Sequence, residues 1–249
     1  MRNFKMSKKI VVKLNVLAKD LANAKAITEA TGGNVFVGVM VKNYPTLEEA
    51  IQTVRDYKEA GVPVSVGLGA GDPNQWKKVV EVSVQTKPPH INQVFPAVGY
   101  TIGAMEQVGG QGCLVNALIS PTGTPGKVSV LTGPKSQDFK ENISCEAAIA
   151  LLNDIGVQSV KFYPIEGDKR LDELAAVVKA AVAGGITMIE PTGGIDAQSV
   201  RPVVETCLAA GAEIIVPHIY TAFVDKETGA TDPAGVAKTT EELLALVNG

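Results

Sequence analysis

The sequence is poor in the residues that build metal centres and disulfide frameworks, with two histidines and three cysteines among 249 residues. His90 and His218 stand far apart without metal-ligand spacing, so a histidine-rich zinc site is not expected. Cys113, Cys145 and Cys207 are odd in number and widely separated. That argues against a disulfide framework and for a reducing, cytoplasmic compartment in which they pack as small hydrophobes. Excess charge is also lacking. A formal net charge of -3 leaves no basic footprint for nucleic acid or an anionic membrane, so an anionic ligand has to be held by local groups. No later apolar run has the length of a bilayer span, and no membrane partner is expected. Residues 1–10 are basic, but the apolar stretch after them is interrupted by Lys13 and Asn15 and has no convincing cleavage site, so it does not read as a secretion signal.

What is present is a repeated alternation of short apolar runs and amphipathic segments. The strand-like runs cover residues 10–18, 34–41, 62–68, 90–98, 113–120, 159–165, 187–190 and 213–220. Helical periodicity covers 21–30, 46–60, 146–155, 171–183, 197–210 and 233–247. Eight βα units in one domain spanning 1–249 predict an α/β fold, a (β/α)8 TIM barrel. The connection 121–143 is longer than the others and carries its own strand-like stretch at 127–131, which predicts a loop or hairpin insertion after strand 5. Polar residues gather at the ends of nearly every run, among them Asn15, Lys42, Asp72, Asn92, Asn116, Lys161, Glu190, Thr192 and His218. A closed barrel collects such groups at one mouth, whereas an open doubly wound sheet collects them at a switch-point crevice.

Two segments carry chemistry. In Ser159-Val160-Lys161-Phe162-Tyr163-Pro164, strand alternation puts Val160 and Phe162 on one face and Lys161 on the other. If that face lines a barrel, the ammonium is paired, hydrated at the strand end, or driven toward the neutral amine, a nucleophile able to form a Schiff base with a ketone. The second segment is Glu190-Pro191-Thr192-Gly193-Gly194-Ile195-Asp196, directly before a helical pattern. Paired glycines let backbone N–H groups approach an oxyanion, so the turn suits phosphate, although it also serves as a plain tight turn with Asp196 as N-cap. Gly67-Leu68-Gly69-Ala70-Gly71-Asp72-Pro73 has close-approach glycines too, but lacks the full dinucleotide fingerprint. Neither a nucleotide cofactor nor a Walker-type loop is implied.

Taken together, Lys161-Phe162-Tyr163-Pro164 and Pro191-Thr192-Gly193-Gly194-Ile195 resemble the paired signature of the 2-dehydro-3-deoxy-6-phosphogluconate (KDPG) aldolase family. Over almost the whole chain the sequence is most similar to the longer branch associated with D-glucosaminate catabolism, through residues 69–75, 92–95, 120–126 and 217–220. The resemblance implies a (β/α) barrel that splits a phosphorylated keto acid into pyruvate and glyceraldehyde 3-phosphate. In that scheme Lys161 forms the Schiff base and the Thr192-Gly193-Gly194 turn holds phosphate, with no cofactor. Barrel aldolases often associate, and by analogy with the trimers of the shorter branch a homo-oligomer is expected.

One departure affects mechanism. The shorter branch has Glu-x-Thr-x-Arg on its second strand, and the corresponding stretch here reads Gly38-Val39-Met40-Val41-Lys42. Lys42 restores positive charge but not a bidentate fork, and the carboxylate is missing. Proton transfer is therefore expected from Asp72 or Glu190, with Tyr163, His218 or a water as alternatives. Lys42, Asn116, Thr122 and Thr124 are the candidates for the substrate carboxylate, and His218 is a further candidate contact. Two other classes stay open at the level of sequence. One is a divalent-metal-dependent keto-acid aldolase using magnesium, with Asp72 and Glu190 among possible ligands. The other is a non-catalytic sugar-phosphate-binding barrel.

Overall fold

The structure is a computed structural model that describes residues 10–248. The basic start, apart from Ile10, lies outside the described residues. Strands β1 (Val11–Val12), β2 (Leu14–Leu17), β3 (Val35–Met40), β4 (Val64–Gly67), β5 (His90–Val94), β6 (Leu114–Pro121), β9 (Ser159–Phe162), β10 (Met188–Pro191) and β11 (Ile214–Ile215) run parallel in one sheet. The sheet closes through its first strand, which is split at Lys13: β1 pairs with β11, while β2 pairs with β3. Eight strand positions thus form a barrel. Helices α1 (Leu21–Ala30), α2 (Leu47–Glu59), α3 (Trp76–Thr86), α4 (Val98–Gln107), α5 (Cys145–Ile155), α6 (Leu171–Ala183), α7 (Val200–Ala209) and α8 (Pro233–Asn248) surround it.

Strand alternation divides the side chains between two environments. Val35, Val37 and Val39 of β3 are fully buried on the helix-facing side, while Phe36 stacks on His90 and Met40 lines the central cavity. Val160 and Phe162 of β9 are buried in the hydrophobic core, and Lys161 points into the barrel, as the period of two predicts. Helix starts are fixed by local chemistry. Thr46 and Glu49 form a reciprocal capping box on α2, and Ser144 accepts from the Ala147 N–H at the start of α5.

The insertion expected after strand 5 is present. β6 runs past the barrel rim and pairs antiparallel with β7 (Lys127–Ser129), which in turn pairs with β8 (Ile143–Ser144). Three details differ from the sequence expectation. The run 90–98 is a strand only to Val94, because Pro96 has no N–H to continue the ladder and a 3-10 turn over Phe95–Ala97 leads into α4. Helices α3 and α4 were not delineated by periodicity, since α3 is rich in β-branched valine and α4 carries Gly99 and Gly103. The run 213–220 forms only the short β11, after which His218 makes single bridges to Asn15 and Thr192.

Phe162 is among the largest fully buried side chains. Phe162→Ala is expected to destabilise the protein by about 3 to 5 kcal/mol, read as a lower denaturant midpoint at unchanged slope. A loss below about 1 kcal/mol would contradict its place in a close-packed core.

Candidate active site

Lys161 and Glu190 are register partners on β9 and β10, so their side chains enter the barrel interior side by side. Glu190 is completely buried and Lys161 is 8% exposed. A buried carboxylate needs donors, and Glu190 has four. Oε1 accepts from Ser159 Oγ (2.5 Å) and His90 Nε2 (3.0 Å). Oε2 accepts from Asn116 Nδ2 (2.8 Å) and His218 Nε2 (2.8 Å). Because a carboxylate only accepts, both imidazoles are assigned as Nε2–H tautomers, which leaves each Nδ1 as an acceptor.

Those acceptors continue the network. Ser65 Oγ donates to His90 Nδ1 (2.8 Å) and accepts from Asn92 Nδ2 (2.8 Å) and Asn15 Nδ2 (2.9 Å). Asn92 Oδ1 accepts from Lys161 Nζ (3.0 Å), and Lys161 Nζ lies 3.2 Å from His218 Nδ1. The result is a closed circuit: Lys161, His218, Glu190, His90, Ser65, Asn92 and back to Lys161. Tyr220 places its hydroxyl 3.0 Å from the same His218 Nδ1.

The circuit sets the proton affinities. Burial lowers the Lys161 pKa to about 8, with the Glu190 charge opposing the fall. Burial and the neighbouring Lys161 charge push His218 down to about 3, so the imidazole is neutral. Burial alone would raise Glu190, but its imidazole donors hold it well below the usual carboxylate range. Lys161 and Glu190 are therefore separated by the neutral ring of His218.

Above Lys161 opens a cavity of about 410 Å³ whose walls include Leu17, Met40, Leu68, Leu118 and Ile195. His218, Thr192, Gly193 and Gly194 line it as well. Gly193 and Gly194 have φ of +107° and +70°, and a Cβ on them would lie 3.0 Å from Pro164 Cα and 3.0 Å from Gly167 N, respectively. The turn is thus pressed against the 164–167 segment. Among the described residues, the N–H groups of Gly194 and Ile195 donate to no protein acceptor. The helix behind them contributes less than the sequence suggests, because Asp196 already accepts from the Gln198 and Ser199 N–H groups.

The profile of the KDGP aldolase family matches residues 8–227. The chain belongs to the KDGP aldolase family. It is 43% identical over 237 residues to a 2-dehydro-3-deoxy-phosphogluconate aldolase from Salmonella typhimurium (strain 14028s / SGSC 2262), covering 95% of this chain and 96% of that protein. The fold resembles that of KGPDC from Streptococcus mutans (TM-score 0.59, 14% identity, 96% of this chain and 100% of that one). Thiamine phosphate pyrophosphorylase from Pyrococcus furiosus is similar in fold too (TM-score 0.56, 13% identity, 95% and 97% coverage).

In this KDGP aldolase family member the residues singled out from sequence fall into separate groups. Lys161, Thr192, Gly193, Gly194 and His218 line the inner cavity, whereas Glu190 and Asn116, bonded to each other, do not border it and are buried in the hydrogen-bonded network that holds Lys161 and His218. Lys42, Asp72 and Thr122 instead line a contiguous outer cavity of about 860 Å³ beneath the insertion. Asp72 is not brought to the Lys161 cavity: it pairs with Lys42 at 3.0 Å and accepts from the Asn74 N–H, and the Lys42 bond lowers its pKa. Thr124 lines neither cavity, since its N–H turns back onto Thr122 Oγ1. Among the described residues no group of three or more His, Cys, Asp or Glu is arranged to hold a metal ion, and Asp72 and Glu190 already have their oxygens engaged. Sequence reasoning left Ser65, His90, Asn92, Ser159 and Tyr220 out of the candidate site. The available signal was parity, because His90, Asn92 and Asn116 are polar at inward positions of apolar strands.

Labelling of the Lys161 amine by a small amine-selective reagent, followed by peptide mass spectrometry, should rise with a midpoint near pH 8. Glu190→Gln should move that midpoint lower, because it removes the charge that stabilises the ammonium. A midpoint near the ordinary lysine value of about 10.4 would contradict the desolvated environment.

Proposed function

We propose that this protein is a class I aldolase that cleaves 2-dehydro-3-deoxy-6-phosphogluconate into pyruvate and glyceraldehyde 3-phosphate through a Schiff base on Lys161. The observation that carries the proposal is a lysine amine at the floor of a cavity with its pKa lowered from 10.5 to about 8. At neutral pH about a tenth of such an amine is unprotonated, roughly two hundred times more than for an ordinary lysine. The 43% identical relative named for this activity supports the substrate.

Attack of Nζ on the C2 ketone and loss of water give an iminium, which draws the C3–C4 electron pair toward nitrogen as the bond breaks. The aldehyde product leaves, and the enamine takes a proton at C3 and is hydrolysed to pyruvate. No cofactor is required, because the iminium is the electron sink. Thr192, Gly193 and Gly194 serve the phosphate, for which the open N–H groups of Gly194 and Ile195 are suitable donors. Lys42 and Thr122 are then contacts of the mouth, and Asn116 and Glu190 act from beneath the substrate.

Lys161→Arg keeps a cation but not a nucleophilic amine, so aldol cleavage by the folded variant should be abolished. Turnover near the wild-type rate would remove Lys161 from the reaction. Because side chains at Gly193 and Gly194 would collide with backbone, the phosphate role is better tested in the unaltered protein. Inorganic phosphate should compete with the phosphorylated substrate and leave turnover of its dephosphorylated analogue unaffected. Equal inhibition of both would place the phosphate elsewhere.

A further inference from the structure

We propose that His218 is the acid-base residue of this site and that Glu190 is its positioning residue, together replacing the carboxylate absent from the second strand. The inference rests on the Schiff-base reading above and adds the group that moves its protons. Gly38 stands where that carboxylate is missing, and its Cβ position would be 3.0 Å from Leu17 Cδ2, so an apolar side chain occupies the space instead. Glu190 is not itself free to meet substrate: its two oxygens carry four hydrogen bonds and neither borders the cavity. Asp72 is tied to Lys42 in the outer cavity. His218 borders the inner cavity, lies within hydrogen-bond distance of Nζ, and presents an unprotonated nitrogen there.

The carboxylate–imidazole arrangement gives that nitrogen its role. Glu190 fixes the Nε2–H tautomer and stabilises an imidazolium when one forms, the part an orienting carboxylate plays toward a catalytic histidine. His218 Nδ1 takes one proton from the Lys161 ammonium, the neutral amine adds to C2 and passes a second N–H proton to the developing alkoxide to give the carbinolamine, and Nδ1 then returns the first proton to that hydroxyl, which leaves as water as the iminium forms. With the iminium formed, Nδ1 takes the C4 hydroxyl proton while the C3–C4 pair becomes the C2–C3 double bond and the C2–N pair moves onto nitrogen. After the aldehyde departs, the same proton is delivered to C3, which completes the pyruvate methyl group and restores both the iminium and the neutral imidazole. The Tyr220 hydroxyl also lies within hydrogen-bond distance of Nδ1, at 3.0 Å.

Two measurements test the assignment. The first follows exchange of the pyruvate methyl protons with deuterium by NMR. His218→Gln, checked for folding by circular dichroism, should slow exchange at least about a hundredfold, the scale for loss of a general base, and Asp72→Asn should leave it within a few fold. Exchange by folded His218→Gln at near the wild-type rate would overturn the proposal, as would a hundredfold loss confined to Asp72→Asn. If the wild type itself exchanges no protons, the underlying function is wrong rather than the base. The second needs no variant: the chain has only two histidines, so 15N-histidine spectra at neutral pH resolve each ring. His218 should show a protonated Nε2 and a bare Nδ1. A protonated Nδ1 with a bare Nε2 would overturn the assignment independently of whether any variant folds.

Discussion

The site depends on keeping one cation and one anion inside a protein barrel without letting them collapse into contact. An unpaired charge at this depth would be too costly to maintain, and a direct lysine–carboxylate pair would hold the ammonium protonated. The structure takes neither course. A neutral imidazole stands between Lys161 and Glu190, donating to the carboxylate through one nitrogen and accepting from the amine through the other. The Glu190 charge is close enough to raise the lysine's proton affinity, yet burial outweighs it and the balance falls at about 8. Relative to an unperturbed lysine that shift corresponds to roughly 3 kcal/mol, large enough to alter the population of nucleophile by two orders of magnitude. Below pH 8 the native state carries the full cost of the buried ammonium, and stability gains as pH rises from about 8 toward the ordinary lysine value.

Everything around this pair serves to keep it in place. Ser159, Asn116, His90 and Ser65 come from four strands, and the closure of the barrel brings His90 and Ser65 onto the circuit and Ser159 and Asn116 to its Glu190 carboxylate. Networks of this kind are rigid, since each group left unpaired in a dry interior carries a penalty, and here only Asn15 Oδ1 at the network's edge lacks a partner among the described residues. The positive-φ glycines lie one layer above, where the backbone has to approach Tyr163 and Pro164 without a side chain between. Gly71 and Gly193 approach that tyrosine from two loops, and its ring lines both the inner cavity and the outer one.

The barrel was legible in the repeated alternation of apolar runs with helical segments, and the inward turn of Lys161 in the period-two alternation of its strand. The insertion was legible from its length and its turn residues. The site was legible only in outline. Lys161, Glu190, Asn116 and His218 were singled out one by one as polar strand-end residues, but that His218 joins Lys161 to Glu190 is a fact of closure, since Lys161 and His218 lie 57 residues apart in the chain. Asp72 read as an active carboxylate because its strand end and glycine loop match such a role. In three dimensions the loop turns it outward, where Lys42 meets it. Ser65, His90 and Asn92 each look like an ordinary polar residue until the ring of hydrogen bonds gives them partners.

The most direct test of the Schiff-base mechanism is borohydride reduction of the protein in the presence of pyruvate, followed by peptide mapping. A pyruvate-derived adduct is expected on Lys161 and on no other lysine. Reduction that leaves Lys161 unmodified while a control aldolase is labelled under the same conditions, or an adduct confined to another lysine such as Lys42, would contradict it.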